Sequence, residues 1–246
     1  MARSNDKRGR ERSGGGRRSP DRSQGRSITA VPAGDLPRWV RDEITRTAPK
    51  DRRQPAIDHL VKAVADFADE RYGAALSQLE RAKDLAPQAA TIRELLGLSA
   101  YHVERWDVAL RELRTFRRIS GETTQMPVEL DCLRALGRPE DVEKTYRKLM
   151  ELDHTPAIDD EARVVYASAL LDRGLLSDAW KVIKPGRLVA NPKPSQLRRW
   201  YVAARVAAAA RDEAAAHSFL DAITDSEPDF PGLAELRSEI EAIPEA

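Results

Sequence analysis

Four histidines (His59, His102, His154 and His217), one cysteine (Cys132) and one adjacent acid pair (Asp159-Asp160) are the residues of this 246-residue chain most suited to proton transfer, nucleophilic attack or metal binding. Their spacing supports none of these. The histidines are too scattered for a local metal pair of the H-E-x-x-H kind. Cys132 has no second cysteine with which to share a metal or a disulfide, and within a helical stretch it reads as a small core residue. Asp159 and Asp160 stand just before an apolar-periodic stretch, where carboxylates satisfy the free N–H groups of a helix start and complement its dipole. No G-x-x-x-x-G-K-[ST] phosphate loop, G-x-G-x-x-G turn or G-x-S-x-G elbow occurs. The expectation is a chain that is not an enzyme, with no catalytic residue, no metal and no cofactor.

The remaining conspicuous chemistry is cationic. Residues 1–27 hold nine Lys+Arg against three acids, a charge of +6 in a chain whose total is +1, so the rest is mildly acidic. Arg8, Arg10, Arg12, Arg17, Arg18, Arg22 and Arg26 carry most of it, and five arginines directly precede a serine: Arg3-Ser4, Arg12-Ser13, Arg18-Ser19, Arg22-Ser23 and Arg26-Ser27. After Met1 and Ala2 no apolar residue follows until Ile28, too little to offset chain entropy, so residues 1–34 are expected to be a disordered basic arm and linker. Two readings of the arm stand side by side. One is a solvated tail. The other is nonspecific contact with nucleic acid, a ribosome or an acidic protein through residues 1–27, because Arg and Ser suit phosphate by charge and hydrogen bonding. No aromatic residue is present to stack on bases.

The elements that would position any site are helices. Aromatic residues make up 5% of the chain, so the core rests on Ala, Leu, Val and Ile, a composition that favours helices over a β-sandwich. Apolar runs reach about five residues, far short of a membrane helix of roughly 18. The basic N-terminus is not followed by the apolar region of a signal peptide. A single cysteine gives no sign of an oxidising compartment. The expectation is a soluble, cytoplasmic protein with no membrane contact, and the frequent Arg and Ala suggest a bacterial source. Asp35 and Pro37 predict a short first helix over Leu36–Thr45. Leu60, Val64 and Phe67 then begin a helical periodicity broken at Pro87, Gly121, Pro127, Pro156, Pro192, Pro194, Pro228 and Pro231. Each interval accommodates two helices, and Leu233–Ile243 ends the chain as an amphipathic cap.

The intervals repeat. Tyr72-Gly73-Ala74-Ala75-Leu76-Ser77-Gln78-Leu79 parallels Trp106-Asp107-Val108-Ala109-Leu110-Arg111-Glu112-Leu113 at an offset of 34 residues. Leu96-Gly97 supplies a Leu-Gly pair, and Trp200 to Pro228 spans 28 residues with Ala204, Ala216, Leu220 and Ile223 between them. On these residues the chain resembles the tetratricopeptide repeat (TPR) family. Successive key small positions fall at Ala75, Ala109, Val142, Ala179 and Ala216, in steps of 34, 33, 37 and 37. Val142 is larger than the pattern asks for, and Pro185-Gly186 interrupts a second helix, so a bend or reset is expected between 121 and 195.

The resemblance implies an all-α, right-handed solenoid of about five helical hairpins over residues 35–246, acting as a scaffold or adaptor for a protein or peptide partner. It implies a concave groove lined by first helices, which places Glu94, Leu98, Tyr101 and His102 on the groove in the second unit and Arg198, Tyr201 and Arg205 in the last. The last three sit at i, i+3 and i+7 on one helix face, a cluster suited to an acidic peptide or a C-terminal carboxylate. The Lys and Asn of the family's two-carboxylate clamp have no counterparts at these positions.

Overall fold

The computed structural model describes Ser27, Ile28, Val31, Gly34 and residues 36–243. Among them are twelve helices and no strand: α1 (Arg38–Thr47), α2 (Arg53–Ala68), α3 (Tyr72–Leu85), α4 (Ala90–His102), α5 (Trp106–Ser120), α6 (Met126–Ala135), α7 (Pro139–Met150), α8 (Pro156–Asp172), α9 (Leu176–Ile183), α10 (Pro194–Ala209), α11 (Glu213–Ser226) and α12 (Leu233–Glu241). The pairs α2–α3, α4–α5, α6–α7, α8–α9 and α10–α11 are five stacked hairpins, with α1 before them and α12 against the last. The five key positions of the repeat all fall on second helices and are all buried: Ala75, Ala109, Ala179 and Ala216 are fully enclosed and Val142 nearly so. This is the architecture that the TPR resemblance implies.

One turn geometry closes every hairpin. Glu70, Glu104, Gly137, Gly174 and Arg211 all have left-handed backbone, with φ between 57° and 70°. In each turn, the residue after the left-handed one donates its N–H to a carbonyl five residues back. The bonds are Arg71 to Asp66, Arg105 to Ala100, Arg138 to Leu133, Leu175 to Leu170 and Asp212 to Ala207. These backbone bonds satisfy carbonyls that a helix end otherwise leaves free. Glycine adopts this conformation without a Cβ clash, whereas Glu70, Glu104 and Arg211 carry a cost of roughly 1 kcal/mol each.

The first helix starts at Arg38 rather than Leu36 and runs to Thr47, with Pro37 as its extended N-cap. The reason lies in Pro37, whose ring disfavours helical backbone at the residue before it. Asp35, the expected cap, lies outside the described residues, as does the arm up to Arg26, including Arg8, Arg10, Arg12, Arg17, Arg18 and Arg22. The last helix stops at Glu241. At the irregular unit, α9 ends after 8 residues at Ile183, just ahead of Pro185-Gly186, whereas the other second helices run to 12–15. Two buried clusters meet within α8, which gives Ala162 and Ala169 to the N-terminal cluster and Ala167 and Leu170 to the C-terminal one.

Buried carboxylates tie neighbouring helices together, Glu112 among them. Glu112 on α5 is 1% exposed and meets Arg93 of α4 at 2.5 Å, Arg111 at 3.1 Å and Lys83 of α3 at 3.7 Å. Burial pushes its carboxyl up. The hydrogen bond and charge of Arg93, with Lys83 and Arg111, outweigh burial and hold it below the ordinary carboxylate value. A carboxyl depressed by folding stabilises the fold above its unfolded pKa, and that stability is lost as pH falls through the folded pKa. The urea midpoint is therefore expected to drop between about pH 5 and pH 3. Glu112→Gln should lower the midpoint at pH 7 and flatten this acid loss. Equal acid losses in the two proteins would show that Glu112 is not a source of it.

Candidate interaction face

First helices lie side by side on one face, and half-exposed polar groups join them in a row. Tyr101 near the end of α4 donates its hydroxyl to Asp131 of α6 at 2.5 Å. Asp131 also accepts from Arg134, one turn on in the same helix, at 2.9 Å. Arg134 reaches across to Asp172 at the end of α8 at 2.8 Å. Glu161 of α8 pairs with Arg198 of α10, and Arg205 on the same helix donates to Glu239 of α12 at 3.1 Å. The ladder thus passes through α4, α6, α8, α10 and α12, with alternating charge. Its charged members range from 21% exposed at Asp131 to 55% at Asp172, within reach of an external chain. Burial, then the bond to Asp131, raises the Tyr101 phenol above its ordinary value, so it stays a hydrogen-bond donor at neutral pH.

The α10 cluster joins this row. Arg198, Tyr201 and Arg205 do share one face of the helix, but each already has company within the chain. Arg198 donates from Nε and Nη2 to one oxygen of Glu161 on α8, and Arg205 donates from Nε alone to Glu239 of α12. Tyr201 is half-buried against Phe230, with ring centroids 5.6 Å apart. Its hydroxyl lies 2.6 Å from where a Cβ on Gly232 would stand. Gly232, left-handed at φ 88°, is therefore the residue that lets α12 start directly over Tyr201.

The second-unit positions divide. Tyr101 is a rung of the ladder. His102 is exposed and stacks flat on Tyr72 at 4.0 Å, with Phe67 edge-on, and burial lowers its pKa, favouring the neutral ring. Leu98 is buried, and so is Glu94, at 3% exposure. Glu94 Oε1 accepts from Gln125, the N-cap of α6, at 2.8 Å and from Ser27 at 3.0 Å. The first helix helps cover the same side of α4, since the Glu43 carboxylate accepts the N–H groups of Ala90 and Thr91 at 2.8 and 3.2 Å.

Sequence reasoning passed over Asp131, Arg134, Asp172, Glu161 and Glu239. A signal existed, because opposite charges stand about one repeat apart: 38 residues for Arg134 and Asp172, 37 for Glu161 and Arg198, 34 for Arg205 and Glu239. Asp159 lies within the first turn of α8 rather than ahead of it, because the helix already starts at Pro156 and Thr155 is the cap. Asp160 instead pairs with Arg199 of α10 at 3.0 Å. Cys132 is fully buried, and burial first of all pushes its thiol up to about 12, which suits a packing residue. Among the described residues, no three His, Cys, Asp or Glu side chains are grouped to hold a metal, and no helix is long and apolar enough to cross a membrane.

No family model matches the chain, and no curated protein matches it. Among solved structures it is similar to YrrB, described as a TPR protein with an unusual peptide-binding site. The identity is 20%, over 79% of this chain and 97% of that one, with a TM-score of 0.49.

Proposed function

We propose that this all-helical hairpin stack is a non-enzymatic interaction scaffold that holds a peptide or partner segment along its first-helix face. The observation that carries this reading is the half-exposed ladder from Tyr101 to Glu239. Ion pairs at this exposure contribute only about 0–1 kcal/mol each to stability, so a partner can exchange them at little cost to the fold. An extended peptide presents backbone donors and acceptors along its length, and alternating Asp and Arg rungs complement both. Arg198 and Arg205 carry the specificity for acidic side chains. A partner carboxylate replaces Glu161 or Glu239 at the guanidinium, one charge-assisted pair for another.

Arg198→Gln with Arg205→Gln removes both guanidinium groups without setting like charges against Glu161 and Glu239. The double variant is expected to lose at least about tenfold in partner capture, from about 1.4 kcal/mol, with unchanged helical circular dichroism. Each single variant should lose much less. Affinity capture from cell extract with wild-type and variant chains side by side measures it. Undiminished capture of the same partners by the double variant would remove the arginines from the site. A loss of helicity would make them structural.

A further inference from the structure

The chain already places its own residues on the first-helix face. Ile28 is 1% exposed and belongs to the same buried cluster as Ile92 and Leu95 of α4. Its neighbour Ser27 donates its hydroxyl to Glu94 at 3.0 Å, and the Ile28 backbone N–H helps hold the pKa of the same carboxyl down. Glu94 sits on α4, 67 residues away in sequence, and Gln125 from the start of α6 closes its other side. The receptacle therefore spans two successive first helices, the placement expected of a peptide lying across them. The hydroxyl on the carboxylate and the buried aliphatic side chain are contacts of a kind that a separate peptide can make.

A purely structural carboxylate in this chain looks different. Glu112 and Glu129, 1% and 0% exposed, are each faced by two or more cationic side chains. Glu94, at 3%, is met by neutral donors, with Glu122 adding like charge nearby. Neutral donors offset the desolvation of a carboxylate less completely than an arginine does. The Ser27–Ile28 contact is thus the weaker kind of closure, one that a competing segment can replace.

We propose that the receptacle of Glu94, Gln125 and the Ile28 seat is a peptide-docking subsite that the chain fills with its own Ser27-Ile28. The partner it accepts in their place is a segment with a hydroxyl-bearing residue followed directly by a large aliphatic one, and no acidic residue at either position. The proposal rests on the scaffold reading above, and it names the occupant at the N-terminal end of that face. An acidic residue is excluded because it would set a second negative charge against the buried Glu94. A tethered occupant acts at an effective concentration of the order of millimolar, so it competes strongly with any free peptide of micromolar affinity.

The test uses the full chain and a fluorescein-labelled synthetic peptide with the sequence of residues 22–36. Ile28→Asp in the full chain vacates the seat, and Ser27→Asp is the second, milder variant. Fluorescence anisotropy is expected to show the vacated chains binding the peptide at least about tenfold more tightly than the self-occupied wild type, because the competing occupant is gone. A peptide carrying aspartate at the position of Ile28 should not bind either variant. Circular dichroism confirms that each variant remains helical. If folded Ile28→Asp and Ser27→Asp chains both fail to bind the wild-type peptide, the contact is only part of the fold and the proposal is overturned. Equal binding by wild type and variants would overturn self-occupancy. Neither result depends on Arg198 and Arg205, so the scaffold reading stands or falls on its own experiment.

Discussion

Arg117→Met is expected to lower the stability of the chain by about 3 kcal/mol, by stranding a charge. Glu129 of α6 is 0% exposed, and Arg117 of α5 donates to both of its oxygens, at 2.9 and 3.1 Å. Methionine keeps most of the length and apolar stem of arginine while deleting the fork. The carboxylate then stays buried with Arg114, 3.8 Å away, as its remaining cation. Removing one member of a buried pair costs about 3–5 kcal/mol, and the low end applies because Arg114 persists. In a chain of this size, 3 kcal/mol corresponds to a fall in Tm of roughly 6–12 °C. Arg117→Met with Glu129→Leu should recover most of the loss, since two apolar residues of similar volume need no pairing. Thermal melts of the three proteins decide it. A single variant as stable as wild type, or a double variant no better than the single, would show that the pair does not hold α5 to α6.

Gly97 is the second sensitive point, and here the cause is space. A Cβ on Gly97 of α4 would lie 2.6 Å from both Cγ and Cδ2 of Leu113 on α5, and 3.2 Å from the Leu113 backbone nitrogen. Leu113 is fully enclosed, so its side chain has no free volume to move into. Gly97→Ala gains about 1 kcal/mol of helix propensity. Overpacking costs about 1–3 kcal/mol, so the net effect is a modest loss. Gly97→Leu has the same clash and three further carbons to place, and its expected loss is about 3 kcal/mol or more. Leu113→Ala by itself costs about 2–5 kcal/mol. Combined with Gly97→Ala it should cost less than the sum of the two, because the clash disappears with the leucine. Urea denaturation of the four proteins measures this coupling. Strict additivity would mean that α4 and α5 separate to admit the methyl group.

The local and repeated parts of this protein are legible in its amino-acid order. Steps of 34, 33, 37 and 37 between small residues appear again as the steps between left-handed turn residues, because one hairpin length sets both. The burial of Ala75, Ala109, Val142, Ala179 and Ala216 follows from the same period, since a helix pair leaves an apolar face that only the next pair can cover. Gly137 and Gly174 are the residue type that such a turn favours, at two of the five turns. Glu70, Glu104 and Arg211 hold the other three, because side chains that avoid left-handed backbone in isolation accept it where helices on both sides enforce it.

How the candidate face is populated follows from the packing of distant segments. Helical spacing puts Arg198, Tyr201 and Arg205 on one side of α10, but the spacing of one helix says nothing about which carboxylates its neighbours bring. Glu161 and Glu239 arrive from 37 and 34 residues away, and Tyr201 is half-buried because Gly232 lets α12 begin over it. Glu94 looked like a groove residue by register and is instead covered by Ser27 and Gln125. Periodicity reports which side of a helix faces its own stack. What comes to rest on the opposite side depends on helix-to-helix angles and on where a distant stretch of chain returns, and those are properties of the packed whole.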